Sequence, residues 1–211
     1  LSYSTQTHAK TNTAQSGGDF MPLVMFDIDN TVLDGDSEQL WANFMVEKGI
    51  TDDIFQQRSD QYMKEYDAGT LNIYEYQEFI LEPLARTPMD TLISLRRQFM
   101  DKKIHPIIRE LMRQRVQWHQ QKGDLVIFIS ATNAFVTEPI AEAFQVEHLI
   151  STIPEIKNGQ FTGKITGIPS FQEGKIKRMH QWLEKTHHSL EESWFYSDSH
   201  NDLPLLEKVA H

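Results

Sequence analysis

The stretch that most constrains the fold is VMFDIDNTVL at residues 24–33, in which an apolar run leads directly into Asp27 and Asp29. Because apolar and polar residues do not alternate before Asp27, the run predicts a parallel strand that is buried on both faces. The two aspartates would then lie at the carboxyl end of that strand, where open α/β sheets bind their ligands.

Two carboxylates held this close together repel each other unless a cation or a shared proton lies between them. Hard divalent cations such as Mg²⁺ prefer carboxylate oxygens, so the pair Asp27 and Asp29 is consistent with a Mg²⁺ site. A polar turn in which one aspartate caps a following helix explains the same residues without a metal. The pair by itself does not decide between these two interpretations.

Length, charge and composition exclude several classes of protein. A chain of 211 residues can form one large core with a small inserted domain. Its 30 acidic and 20 basic residues give a net charge of -10, which disfavours nucleic acid as a partner but permits a small phosphate-bearing substrate at a local positive site. The absence of cysteine excludes disulfides, thiolate metal sites and a cysteine nucleophile.

The apolar runs are short, and residues 125–129 are an example. Such runs cannot span a bilayer, and the polar residues 1–20 lack the apolar segment of a secretory signal. We therefore expect a cytoplasmic protein without stable membrane association, and we expect residues 1–20 to form a flexible leader. The sequence does not predict an oligomeric state.

Residues 36–104 have a helical pattern throughout. Apolar and aromatic residues such as Trp41, Phe44 and Met45 recur at spacings of three and four, and no strand pattern interrupts them. We predict that this segment is an inserted all-helical cap whose aromatic residues form a core. Residues 21–35 and 105–211 would then form the α/β core.

Strand and helix patterns alternate after residue 105. The predicted elements are an amphipathic helix that carries Leu111 and Trp118 and ends near Gly123, a strand at 125–129, a helix at 135–144, a β-hairpin at 152–168 turning at Asn158 and Gly159, a helix at 173–185, a strand at 193–197 and a helix at 203–209. This order predicts an α/β fold: a Rossmann-like parallel sheet with helices on both faces, an inserted all-helical cap and a small β-hairpin flap.

Polar residues follow the later strands as they follow the first. Ser130 comes after the second strand, Asp198 and Asp202 come after the last, and Lys175 lies at the start of the preceding helix. Taken singly, Ser130 is explained as a helix cap, Lys175 as a surface lysine and the two acids as loop residues beside a helix N-terminus. Their shared position at the carboxyl edge of the sheet favours a single site.

These motifs, in this order, resemble the haloacid dehalogenase superfamily of phosphohydrolases, specifically the branch that includes phosphoserine phosphatase. Residues 27–31 (DIDNT) match the first motif of that family, DxDx(T/V), and Ser130 matches the second. Lys175 matches the third, and residues 198–202 (DSHND) match the fourth. The resemblance covers about residues 23–211 and includes the helical insertion after the first motif.

The resemblance implies a Mg²⁺-dependent phosphatase that hydrolyses a small phosphate monoester through an aspartyl-phosphate intermediate. In this family pattern Asp27 attacks phosphorus, and Asp29 protonates the leaving group and then activates water. Mg²⁺ is held by Asp27, by Asp29 through its backbone carbonyl and by Asp198, with Asp202 supporting the site. The implied ligands of the phosphoryl group are Ser130 and Lys175.

Substrate choice is less constrained. In the phosphoserine branch an acidic residue after the first motif binds the substrate's amino group, and Asp36 lies in that region here; a role as a helix cap explains it equally well. The branch's cap arginine has no counterpart in residues 67–85. This departure favours a phosphorylated amino alcohol such as histidinol phosphate over phosphoserine. A phosphatase of a lipid head-group phosphate and a phosphotransferase with the same intermediate remain alternatives.

A non-enzymatic receiver domain, which also carries a phosphorylated aspartate beside Mg²⁺, is the alternative from a different class. It is disfavoured because Asp29 would supply the acid and base that a long-lived phosphorylated switch avoids. A large cap is also unnecessary for a surface that only docks a partner.

Overall fold

The computed structural model describes residues 21–211, and the predicted leader at residues 1–20 lies outside the described residues. Its five strands are β1 (Leu23–Phe26), β2 (Leu125–Asn133), β3 (His148–Lys157), β4 (Gln160–Thr166) and β5 (Trp194–Tyr196). They form one sheet in the order β4-β3-β2-β1-β5. Strands β1, β2, β3 and β5 run parallel, and β4 pairs antiparallel with β3. The predicted α/β fold is confirmed.

Helices occupy most of the chain between the strands. They are α1 (Ser37–Glu47), α2 (Asp53–Asp67), α3 (Ile73–Arg86), α4 (Met89–Phe99), α5 (Glu110–Lys122), α6 (Ala134–Ala143), α7 (Glu173–Thr186) and α8 (Leu203–Leu206). The first four lie within the segment predicted to be a cap, whose domain boundaries stay a prediction. Within residues 21–211 no helix combines the length and the apolar character needed to cross a membrane.

The sheet is buried on both faces, which explains why its central strands are apolar without alternation. Val24 and Phe26 of β1 belong to a large core shared with α1, α3, α4 and α6, whereas Met25 faces a second core with Met179 and Leu183 of α7. Full burial of a side chain of this size contributes about 1.5–3 kcal/mol to stability. The two cores therefore fix β1 in the centre of the molecule.

The connections create a crevice at the carboxyl end of β1. After β1 the chain builds β2, β3 and β4 on one side of it, and it returns to place β5 on the other side. A change of direction of this kind leaves an opening at the strand ends, where ligands of α/β sheets bind. Asp27 is the first residue of the loop that enters this opening.

The β3–β4 hairpin holds the helix α3 in place. Its turn has positive φ at both Asn158 (52°) and Gly159 (77°), as the predicted Asn-Gly hairpin requires. Gln160 Nε2 then donates hydrogen bonds to the carbonyl oxygens of Leu84 (3.0 Å) and Thr87 (2.7 Å). These bonds satisfy carbonyl groups at the C-terminal end of α3 that have no partner within the helix.

The prediction for the apolar face of α5 was wrong for Leu111 and Trp118, although Met112 of the same helix packs against the core. Leu111 is 80% exposed and Trp118 is 45% exposed, whereas the buried residues of the helix are Val116 and His119. Burial of a histidine is possible here because Asp124 Oδ2 lies 2.7 Å from its Nδ1 and the Tyr196 hydroxyl lies 3.0 Å from its Nε2. Periodicity could not reveal these partners, which come from two other segments.

Candidate active site

The centre of the site is a buried ion pair network behind the end of β1. Asp27 is only 6% exposed. Lys175 Nζ donates hydrogen bonds to Asp27 Oδ1 at 2.9 Å and to Asp202 Oδ2 at 2.9 Å, and lies 2.6 Å from Asp202 Oδ1. Helix α7 delivers this lysine from its first turn, where a Cβ at Gly174 would collide with the carbonyl oxygen of Pro169. Glycine at that position therefore lets the helix start close to the loop before it.

The network carries more negative than positive charge. Burial raises the pKa of Asp27 to about 7, because the attraction of Lys175 does not fully offset desolvation together with repulsion from Asp202 and Asp29. Burial alone would lower the pKa of Lys175, but the carboxylates of Asp27 and Asp202 outweigh it and raise that pKa. The lysine is therefore charged throughout the physiological range, and Asp27 lies where a further cation would be stabilised.

The carboxylate of Asp29 accepts hydrogen bonds from three donors. Its Oδ1 accepts from the backbone N–H of Ser37 at 2.7 Å, and its Oδ2 accepts from the hydroxyls of Thr132 at 2.8 Å and Ser130 at 3.2 Å. Ser130 is fully buried and binds Asp29 directly. Its predicted contact with a phosphoryl group remains a prediction.

Thr132 was missed in the sequence, although it lies two residues after Ser130 on the same strand and lines the cavity. Residues at that spacing face the same side of a strand, so the spacing was the available signal.

Thr31 connects the first and last motifs. Its hydroxyl donates to Asp198 Oδ1 at 3.0 Å, lies 3.4 Å from Asp27 Oδ2, and accepts from the backbone N–H of Asp198 at 3.1 Å. The carboxylates of Asp27 and Asp198 are thereby gathered around one hydroxyl group. This contact gives the threonine of the DIDNT motif a physical role.

These residues open into a cavity of about 180 Å³. Five of the seven residues predicted for the site line it, namely Asp27, Asp29, Asp36, Lys175 and Asp198. The other two lie directly behind the wall, where Ser130 donates to Asp29 and Asp202 accepts from Lys175. The structure thus brings all seven predicted residues to one place.

The donor set suits a hard divalent cation. Among residues 21–211 no three His, Asp or Glu side chains converge as a ready metal cage. Mg²⁺, however, usually takes only one or two carboxylates and keeps several waters, and it accepts backbone carbonyl oxygens as well. Asp27, Asp198 and the carbonyl oxygen of Asp29 match that requirement. The uncompensated negative charge around Asp27 also fits a cation.

Two acids come to the cavity from the start of α1. Asp36 caps the helix by accepting from the backbone N–H of Gln39 at 2.8 Å, and burial raises its pKa well above the usual range. Glu38 accepts from Asn133 Nδ2 at 2.7 Å, and burial raises its pKa to about 7. Both predicted explanations of Asp36 are therefore compatible, since it caps the helix and also lines the cavity.

Glu38 was missed because an acid in the first turn of a helix normally signals only a favourable interaction with the helix dipole. Its burial depends on Asn133, which arrives from the end of β2.

Comparisons with known proteins identify relatives along nearly the whole chain. The family model for haloacid dehalogenase-like hydrolases matches residues 24–207. A histidinol-phosphatase of Neisseria meningitidis serogroup C is 38% identical over 193 residues, which are 89% of this chain and 87% of that protein. A phosphoserine phosphatase of Mycobacterium tuberculosis is 23% identical over 93% of this chain and 67% of that protein.

Solved structures share the fold. A protein of unknown function from Bordetella pertussis Tohama I has a TM-score of 0.85 and 41% identity, covering 91% of this chain and 88% of its own. A substrate-bound phosphoserine phosphatase has a TM-score of 0.67 and 17% identity over 90% of this chain and 83% of its own. At that identity the second likeness concerns the fold alone.

Proposed function

Because this chain belongs to the haloacid dehalogenase-like hydrolases, in the phosphoserine phosphatase-like branch, we propose that it hydrolyses a small phosphate monoester with Mg²⁺ through an aspartyl-phosphate intermediate. The favoured substrate is a phosphorylated amino alcohol such as histidinol phosphate. The observation that carries the proposal is Asp27, which lies buried at the mouth of the crevice with Lys175 Nζ 2.9 Å from its Oδ1.

In the first half-reaction a carboxylate oxygen of Asp27 attacks phosphorus. A bond forms between that oxygen and phosphorus while the bond from phosphorus to the ester oxygen breaks. Asp29 gives its proton to the departing alkoxide, so that the alcohol leaves neutral. Lys175 holds the attacking carboxylate in position and places a positive charge beside the phosphoryl group.

In the second half-reaction Asp29 accepts a proton from water as the water attacks the phosphorus of the aspartyl-phosphate. Phosphate leaves, and the carboxylate of Asp27 is restored. In the structure the three donors from Ser37, Ser130 and Thr132 fix the orientation of the Asp29 carboxyl group. Because the same group moves a proton in each direction, it begins the next cycle in its initial protonation state.

Mg²⁺, which would be held by Asp27, Asp198 and the carbonyl oxygen of Asp29, supplies charge neutralisation that lets an anionic nucleophile approach an anionic substrate. Protons and the cation compete for Asp27, whose pKa lies near 7.

We expect added Mg²⁺ to raise the melting temperature, and to raise it more at pH 8 than at pH 5. A buried acid with a raised pKa destabilises the fold increasingly as pH rises through the interval between its unfolded and folded values, and bound Mg²⁺ removes that cost. Differential scanning fluorimetry with Mg²⁺ or with a chelator measures the effect. Equal shifts at the two pH values would contradict the placement of the cation at Asp27.

Asp36 provides the contact for the substrate's amino group. We expect Asp36→Asn to lower kcat/KM for histidinol phosphate by about tenfold or more while changing turnover of para-nitrophenyl phosphate by less than about twofold. Asparagine retains the helix cap and spares α1, while it removes the carboxyl group that a substrate ammonium would hold in its ionised form.

Asp52→Asn is the matched control, because Asp52 caps α2 in the same way and is exposed. Equal losses with both phosphate esters would show that Asp36 does not bind the amine.

The substrate itself is tested by comparing histidinol phosphate, phosphoserine and phosphoethanolamine, with phosphate and alcohol both quantified. We expect histidinol phosphate to give the highest kcat/KM. Release of phosphate and alcohol in equal amounts supports hydrolysis, whereas an excess of alcohol over phosphate would indicate transfer to a second acceptor. A preference for phosphoserine would overturn the substrate assignment.

A further inference from the structure

Gln77 interrupts the buried face of α3. Apolar residues occupy that face at the usual spacings, including Ile73, Ile80, Leu81 and Leu84. Gln77 lies among them and is only 1% exposed. Both its amide nitrogen and its amide oxygen are buried, and neither has a hydrogen-bond partner among residues 21–211.

An unpaired amide in this position is costly. A buried polar atom without a partner loses its hydrogen bonds to water and gains none, and an apolar side chain of similar shape avoids that cost. Most buried polar groups in folded proteins are hydrogen bonded, so an exception requires an explanation. Gln77 also lines the cavity that contains Asp27 and Lys175. Because a water molecule does not reach these two atoms, a bound molecule supplies the missing partner only when the side chain turns its amide toward the cavity.

The cavity wall indicates which molecule fits. Asp36 and Glu38, at the start of α1, are acidic residues of this wall. The cationic side chain of Lys175 is already paired with Asp27 and Asp202. The wall as described contains no arginine. A leaving group that carries a carboxylate would thus meet Asp36 and Glu38 with no unpaired lysine or arginine in the wall, whereas a neutral polar group would meet a complementary amide.

Aromatic and aliphatic side chains flank Gln77. Tyr76 precedes it and packs edge to face with Tyr62 at a centroid distance of 5.3 Å, and both rings line the cavity together with Ile73. These groups provide apolar walls for a flat ring. An amide between such walls can donate to or accept from a ring nitrogen, according to how it is turned.

We propose that Gln77 is a specificity-determining residue that hydrogen bonds to a neutral nitrogen heterocycle, such as imidazole, in the leaving group. This inference rests on the proposed phosphatase function and adds the group that selects the alcohol. Neutral imidazole has one N–H donor and one nitrogen acceptor, and the amide can match either of them. Asp36 would then bind the amine of the same substrate, and Asp27 would attack its phosphorus.

The test is Gln77→Met, which preserves an unbranched side chain of similar length and removes both hydrogen-bonding groups. We expect KM for histidinol phosphate to rise by about tenfold, equivalent to about 1.4 kcal/mol, with kcat nearly unchanged, because the contact is made equally in the ground and transition states. Turnover of para-nitrophenyl phosphate should change by less than about twofold. Gln61→Met, at an exposed position of α2, is the matched control.

The outcomes separate this inference from the proposed function. A wild-type enzyme that prefers histidinol phosphate and keeps that preference after Gln77→Met overturns the role of Gln77 and leaves the phosphatase assignment intact. The role of Gln77 is also overturned if the wild-type enzyme hydrolyses para-nitrophenyl phosphate but does not prefer histidinol phosphate to the other phosphate esters. If no phosphate ester is hydrolysed, the binding of histidinol is measured by calorimetry for the wild-type protein and for Gln77→Met. Weaker binding by Gln77→Met supports the contact. Equal binding by the two proteins, or no binding by the wild type, overturns it.

Discussion

Asp27→Asn is expected to reduce phosphate release by roughly 10⁴-fold or more, because it removes the nucleophile on which every later step depends. The fold should remain, since asparagine has nearly the same shape and does not carry the charge whose burial raises the pKa of Asp27 to about 7. Phosphate release at saturating substrate and circular dichroism of the same sample measure the two effects.

Asp34→Asn is a matched control for Asp27→Asn. Asp34 lies in the same loop, but its side chain is exposed and pairs with Arg109 at 2.9 Å. The control should retain activity within about twofold, as expected for an exposed ion pair. Substantial phosphate release by a correctly folded Asp27→Asn protein would remove Asp27 from the nucleophile role.

Lys175→Met is expected to have the second largest effect, and it should affect both activity and stability. The ammonium group is the shared partner of Asp27 and Asp202, so its removal leaves two buried carboxylates without a counter-charge. Breaking a buried ion pair in this way costs about 3–5 kcal/mol. Loss of the positive charge beside the phosphoryl group should also lower kcat by about 10²–10³-fold.

The stability loss in Lys175→Met should depend on pH. The unpaired carboxylates prefer their protonated forms, so the variant should be less destabilised at pH 5 than at pH 8. Denaturant unfolding at both pH values measures this difference. Lys177→Met is the control, because Lys177 is exposed on the same helix. Equal destabilisation of the two variants would contradict a buried network at Lys175.

The parts of the site that could be predicted are those fixed by strand ends. Asp27 follows β1, Asp198 follows β5, and Lys175 opens α7, so the parallel topology alone brings them to one edge of the sheet. The succession of strands and helices after residue 105 and the Asn-Gly hairpin were also evident, because their signals are local to a few residues. Agreement with the described structure is therefore good for β1, for the hairpin and for the first turn of α7.

The parts that could not be predicted depend on how helices are oriented. The burial of Glu38 requires Asn133 from β2, and Gln77 reaches the cavity because β4 fixes α3 through Gln160. A glutamine within an apolar stripe was a usable signal for Gln77, but the stripe alone does not say what the helix faces. The burial of His119 in α5 was not predicted for the same reason, since its partners lie elsewhere in the chain.

Phosphorylation of Asp27 during turnover can be observed by trapping the intermediate. Acid quenching of the enzyme during steady-state hydrolysis, followed by borohydride reduction, converts an aspartyl-phosphate to homoserine, which peptide mass spectrometry locates. We expect homoserine at position 27, present only when substrate is supplied and absent in Asp27→Asn. Homoserine at position 29, or unmodified peptide despite continuing phosphate release, would contradict it.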